Sequence, residues 1–247
     1  MTFRVPTPIL LGAILGVVAI LVALGIWQLQ RNDWKNHLVA ERNARATEAP
    51  LTSEDALSTD PANLDYRRLI ASGTWDYEHS FILGNRARLQ TRGEQLVTPF
   101  LLTPDGPAVL VNRGWYPLAE RDAVLADLSS QLDQSLAGLI RTGAGRGQQT
   151  DSGLWTALDP VAMGETLPYP VVDWLVIEGA QRQPGEPSSD GTLPVQGYLP
   201  YASNTPHLEY AATWLGLAIV LVVVAAVRFV IEPRRARRRE VESATNR

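Results

Sequence analysis

The sequence has 247 residues with three histidines, two methionines and no cysteine, which excludes disulfides and thiolate metal sites and leaves no soft-ligand cluster for cuprous copper, so no copper site is expected. The formal charge of −4 divides unevenly: residues 36–206 carry 12 Arg and no Lys against 21 acidic residues, whereas the tail from Arg228 holds seven Arg against three Glu. An acidic middle with a basic tail argues against nucleic acid as partner and suits a domain on one side of a membrane with a tail on the other.

The first element is Ile9 to Leu29, 21 residues without a charge. At about 1.5 Å rise per residue it covers the ~30 Å of a bilayer core. The rival reading is a cleaved signal peptide, whose apolar region usually runs ~7–15 residues and ends in small residues before the cut. This run is longer and ends in Gly25-Ile26-Trp27-Gln28 with no A-x-A site, so a retained anchor is expected. No acid-poor, Arg-rich transit segment precedes it, which points to a bacterial plasma membrane. The helix continues past the border as Arg31 to Leu38 and keeps helical propensity to about Ala46. Residues 1–35 are thus an anchor and its extension.

Residues 36–206 form the middle domain. Thr47 to Asn63, with Pro50 and Pro61, reads as a polar linker. Strands are expected over Tyr66–Trp75, His79–Leu83 (followed by a turn at Gly84-Asn85), Gln95–Leu102, Ala108–Trp115, Leu136–Arg141 and Val171–Glu178, with Leu193–Tyr198 a weaker seventh. Thr103-Pro104-Asp105-Gly106 reads as the turn of a hairpin. A helix fits Leu118 to Leu132, where Leu118, Leu125, Leu128 and Leu132 fall on one face, and a short one fits Asp159 to Gly164. Gln183 to Gly191 reads as a mobile loop. The expected fold is an α+β domain on an antiparallel sheet, barrel- or sandwich-like, flanked by two transmembrane helices.

The second span runs from His207 to Ile231 and is too long and apolar for a buried globular helix; its cation, Arg228, lies near enough to the end to snorkel. Asn204, Thr205 and Pro206 suit a helix start. Arg234, Arg235, Arg237, Arg238 and Arg239 follow in the 232–247 tail and place it in the cytoplasm. Two spans return the N-terminus to that side and leave 36–206 extracytoplasmic. Arg31, Lys35, Arg42 and Arg45 oppose the rule at the first span, but the tail cluster is denser. For packing of the spans, Gly12-x-x-x-Gly16, Ala19-x-x-x-Ala23 and Ala212-x-x-x-Gly216 offer small faces.

No hydrolase elbow, Walker loop, dinucleotide fingerprint, zincin motif or C-x-x-C occurs. His79, between Glu78 and Ser80, reads as an ordinary strand histidine. The informative residues sit at the membrane borders. Trp27, Arg31 and Lys35 share one face of the first helix, with Trp34 beside them; His207, Tyr210 and Trp214 share one face of the second. Aromatic belts and headgroup anchors would account for the Trp, Tyr and cations, and a capping-region role would account for His207. A shared site is the other reading.

A family resemblance bears on that choice. Gly25-Ile26-Trp27-Gln28-Leu29-Gln30-Arg31-Asn32-Asp33-Trp34-Lys35 resembles the G-x-W-Q-x-x-R-x-x-W-K signature of the Surfeit locus protein 1 family. Tyr66-Arg67-Arg68 followed by Gly73, Val97-Thr98-Pro99-Phe100, Val111-Asn112-Arg113-Gly114-Trp115 and His207-Leu208-x-Tyr210-x-x-Thr213-Trp214 resemble its further motifs, in its order, between about Gly25 and Leu217. The family often has paired Asn directly before the His; here Thr205-Pro206 intervene after Asn204. The resemblance implies an assembly factor for haem-copper cytochrome c oxidase, without enzymatic activity, that binds haem a and assists its insertion into the catalytic subunit. Partners would be that subunit, other oxidase assembly factors and membrane lipid. It makes His207 the candidate ligand of a haem iron, Arg31 and Lys35 partners of the propionates, and Trp27, Tyr210 and Trp214 a cover for the apolar face. The Asn112–Trp115 motif receives no chemistry, and a strand end with Gly in a bend is its simpler reading. A scaffold that holds an oxidase assembly intermediate without any cofactor is the alternative; a tethered enzyme has nothing in the sequence behind it.

Overall fold

The structure, a computed structural model, describes residues 6–103, 106–130, 134–143, 145–182, 191–199 and 206–235. The chain divides into two compact units, one made of Met1–Val39 with Ser203–Arg247 and the other of Ala40–Ala202. The long helix α1 (Thr7–Thr47) contributes to both. It ends within a residue of the expected Ala46.

In the first unit α1 pairs with α5 (His207–Ala226), which continues through a π turn at Val227–Ile231 to Arg235. Both helices are long and apolar enough to cross a membrane. The residues of α1 that lose exposure include Ile14, Val18, Leu21, Gly25, Gln28, Asn32 and Lys35; those of α5 include His207, Ala211, Trp214, Ala218, Leu221 and Ala225. Steps of three and four residues in both rows give a seam of heptad period. The small-residue faces expected from sequence are not this seam. A Cβ on Gly12, Gly16 or Gly216 would meet nothing within 4 Å, and Ala19, Ala23 and Ala212 are exposed. Gly25 closes the contact instead, since a Cβ there would stand 2.7 Å from the Leu215 side chain. Small-xxx-small spacing marks where a helix could be approached closely, not which face its partner takes.

The second unit is a seven-stranded sheet: β1 (Arg68–Ser72), β2 (Thr74–Trp75), β3 (Phe81–Arg88), β4 (Thr91–Leu101), β5 (Ala108–Pro117), β6 (Ser135–Arg141) and β7 (Val171–Glu178). The order is β1-β6-β7-β5-β4-β2, with β3 also on β4. The sheet is mixed, which corrects the antiparallel expectation: β5 and β7 run parallel, with Leu110 opposite Leu175 and Val111 opposite Val176. The connection from β5 to β7 holds α3 (Arg121–Ser130), β6 and α4 (Pro160–Gly164), long enough for the crossover that parallel strands require. Residues 108–111 are buried without alternation, as are Trp174 to Val176, the signature of strands covered on both faces.

Arg68 to Trp75 is one extended stretch but two strands. β1 pairs with β6 at one end of the order and β2 with β4 at the other, so the sheet must curl into a half-barrel. Gly73 makes the corner, where a Cβ would lie 2.1 Å from the Leu101 carbonyl oxygen. The concave core gathers Leu69, Phe100, Val109, Val111, Leu136, Ile140, Trp174 and Val176. The outer face, with Leu83, Val97, Leu110 and Leu175, is covered by Trp155, Leu158 and Met163, the last from α4. Asp159 caps α4 as the expected helix start.

Several further expectations are corrected. The stretch read as a linker is structured: Thr52 and Asp55 form a reciprocal capping box on α2 (Ser53–Ser58), Ala56 and Leu64 enter the core, and Leu51 bridges Leu69. Thr52, Asp55 and Asp60 serve as caps, and Leu51 and Ala56 pack against the sheet while Leu57 stays exposed. Gly84-Asn85 is a bulge inside β3, and the hairpin turn is Leu89-Gln90, both at positive φ as a two-residue turn demands. The third helix starts as a 3-10 turn at Leu118–Glu120, leaves Leu118 exposed and buries Val124 and Leu128. Leu193–Tyr198 is no strand but makes isolated bridges, Val195 to Trp115 and Tyr198 to Gln181. Residues 183–190 of the expected mobile loop lie outside the described residues.

Candidate functional site

The apolar run of α1 ends at Trp27, and the next seam position is Gln28, the first side chain there able to hydrogen-bond. The seam position facing it is His207, the first residue of α5. Gly25 and Ala211, each about one turn deeper, let the helices approach closely enough for both side chains to reach. His207 Nδ1 lies 2.7 Å from the Gln28 amide oxygen. A carbonyl oxygen only accepts, so Nδ1 carries the hydrogen and donates it. His207 is 7% exposed, and its Nε2 is buried with no hydrogen-bond partner among the described residues. A buried nitrogen with an unused lone pair is an unpaid desolvation cost in the bare chain and a free donor for a metal.

The other residues singled out from sequence divide. Arg31 and Lys35 both lie within electrostatic reach of the His207 ring. Lys35 is half-buried on the seam, while Arg31 lies over the Trp34 ring, 4.1 Å from its centroid. Trp214 is half-buried on α5. Trp27 and Tyr210, 54% and 49% exposed, stand on the outer flanks of the pair. Sequence reading missed Gln28 as a site residue. Its signal was an uncharged polar side chain at the close of a charge-free span, in heptad phase with Gly25 and Lys35.

The second unit holds a buried polar cluster around Arg113, which is 2% exposed. Its guanidinium stacks on Trp75, 3.8 Å from the ring centroid, donates to Tyr77 Oη at 3.3 Å and pairs with Glu178 on the neighbouring β7. Asn112 Oδ1 accepts from the Gly114 N–H and its amide donates to Gln95, while Trp115 Nε1 donates to the Arg86 carbonyl. Gly114, at φ +122°, is a bulge inside β5 rather than a strand end, and a Cβ there would meet the Val195 carbonyl at 2.6 Å. The Asn112–Trp115 motif thus ties β5 to β4, β3 and β7. Tyr66 does the same for α1: Arg42 and Arg141 lie 4.9 and 4.3 Å from its ring centroid.

His79 is oriented by Asp76, whose Oδ2 also accepts from Tyr169 Oη at 2.5 Å. Burial opposes ionisation of Asp76, but the bonds from Tyr169 and His79 outweigh it and hold the carboxyl below its ordinary value. Burial, with the Asp76 charge, pushes the Tyr169 hydroxyl up.

Residues 15–219 match the SURF1 family model, a stretch that takes in the whole sheet, α1 from residue 15 onward and the first part of α5. The chain belongs to the SURF1 family. A SURF1-like protein of Monosiga brevicollis is 26% identical over 86% of this chain and 84% of its own length. A SURF1-like protein of Rickettsia felis is 26% identical over 84% and 91%. The cytochrome oxidase assembly protein SHY1 of Saccharomyces cerevisiae is 31% identical over 43% of this chain and 28% of its own. In this SURF1-family chain, Gln28 and His207 place one buried imidazole at the head of an apolar helix pair, within electrostatic reach of Arg31 and Lys35.

Proposed function

We propose that this chain is a membrane-anchored assembly factor for cytochrome oxidase that binds haem a as cargo, through His207, and assists its insertion into the oxidase catalytic subunit. Family membership and the assembly role named for the yeast relative support the oxidase part. The observation that carries the haem part is the buried, unpartnered Nε2 of His207 beside two cations. In this reading Nε2 ligates the iron and Arg31 and Lys35 meet the propionates at the polar border. Trp27, Tyr210 and Trp214 cover the macrocycle, and its isoprenoid tail lies along apolar helix surface. Haem a supplies oxygen and electron chemistry to the oxidase; this chain holds and orients it and acts as no enzyme. Because Nε2 is shielded, the side chains that cover it move aside to admit the ring, while the Gln28–His207 bond across the helix pair stays closed. Both termini are cytoplasmic and the sheet domain extracytoplasmic, in a bacterial plasma membrane, with other assembly factors as further partners.

The test is the visible spectrum of the detergent-purified chain from haem-a-producing cells, with and without His207→Ala. The variant should lose or alter the haem bands while inserting normally, since one border imidazole contributes little to two spans. An unchanged spectrum and stoichiometry would make His207 no ligand and favour a cofactor-free scaffold.

A further inference from the structure

We propose that Gln28 is a positioning residue that fixes His207 as its Nδ1–H tautomer and aims the Nε2 lone pair at the incoming iron. The inference rests on the haem reading above for its ligand, but the tautomer is a property of the chain alone.

A neutral imidazole has one N–H and one lone pair, and whichever nitrogen finds an acceptor keeps the hydrogen. Nδ1 has an acceptor at 2.7 Å, the Gln28 amide oxygen, and Nε2 has no partner among the described residues. Were the hydrogen on Nε2, a buried N–H would be left unbonded and Nδ1 would face a carbonyl oxygen lone pair to lone pair. Both are costly away from water. The seam makes this arrangement durable. Gly25 and Ala211 hold the helices at a separation that one glutamine side chain spans.

The choice of an amide is itself informative. A carboxylate behind a ligating histidine raises its basicity and tightens the metal bond. A neutral amide orients the ring with less of that effect. A protein that must hand its haem on is better served by an oriented ligand of moderate strength.

The experiment uses the full chain in detergent with His37→Gln and His79→Gln, so that His207 is the sole imidazole. Nitrogen-15 NMR of labelled histidine at neutral pH reads the tautomer, and titration with haem a reads affinity. With Gln28 present the Nδ1 signal should be pyrrole-type and the Nε2 signal pyridine-type. Gln28→Leu should lose that pattern and weaken haem a binding about 10–100-fold, the usual cost of removing a group that orients a ligand. Gln28→Glu should restore the pattern and hold haem a more tightly than the parent. A pyridine-type Nδ1 with Gln28 present, or a pattern unmoved by Gln28→Leu, overturns the inference. If the NMR pattern behaves as stated but no variant binds haem a, the positioning role stands and the haem reading falls.

Discussion

The burial of Arg113 allows a quantitative test of what its motif is for. Arg113→Met keeps most of the aliphatic stem but removes the guanidinium that stacks 3.8 Å from the Trp75 centroid and pairs with Glu178. The side chains of the pair are 3% and 13% exposed, so solvent cannot replace the lost partner. Breaking a buried pair from one side costs about 3–5 kcal/mol, most of it the penalty of the charge left behind. The cation–π contact, worth about 2 kcal/mol when desolvated, overlaps with that figure and is not added. We expect a loss of ~4 kcal/mol, which at about 2–4 °C per kcal/mol for a unit of this size is a drop of ~8–16 °C in melting midpoint. Near-UV circular dichroism of the full chain in detergent follows it, because Trp75, Phe100 and Trp174 share one core cluster. Arg113→Met with Glu178→Leu should recover more than half of the loss, since neither charge of the pair remains. A drop under about 3 °C in the single variant, or no recovery in the double, would refute the stranded-charge account and return the motif to a role outside stability.

Two other outcomes follow from the structure. Asp76 is held below its ordinary value in the folded chain, so in acid the unfolded chain binds more protons at this site. Its contribution to stability is complete above about pH 4 and is lost as pH falls through the native value. Tyr169→Phe removes one of the stabilising donors, so the gap in urea midpoint between parent and variant should shrink from pH 6 to pH 3; a gap constant with pH would mean that Tyr169 acts through packing alone. For orientation, a reporter active only outside the cytoplasm, inserted within residues 183–190, should be active, and activity of a cytoplasmic reporter there would reverse the topology read from the arginine tail.

Both apolar helices, the first helix end near Ala46, the short helix after Asp159 and most strand positions were legible in the sequence, because each follows from local chemistry: a charge-free run, a capping aspartate, alternating or continuous apolar residues. Residue patterns report which faces are covered, not what covers them. Continuous burial of residues 108–111 therefore gave no warning that β5 and β7 run parallel. The corner at Gly73 depends on the approach of Leu101 from a distant strand, and the bulge at Gly114 on Val195. The strand-end reading of the Asn112–Trp115 motif gave Arg113 no role, because its partner Glu178 is brought beside it only by β7. At the candidate site, His207, the two cations and the aromatics could be picked out from sequence as residue types at the ends of apolar runs. The packing of the two helices shows that Gly25 and not the Gly12-x-x-x-Gly16 face closes the pair. It also turned Trp27 and Tyr210 outward and set an amide from one helix against an imidazole 179 positions away. Which nitrogen of that ring is free depends on a contact between two helices, and no local pattern encodes it.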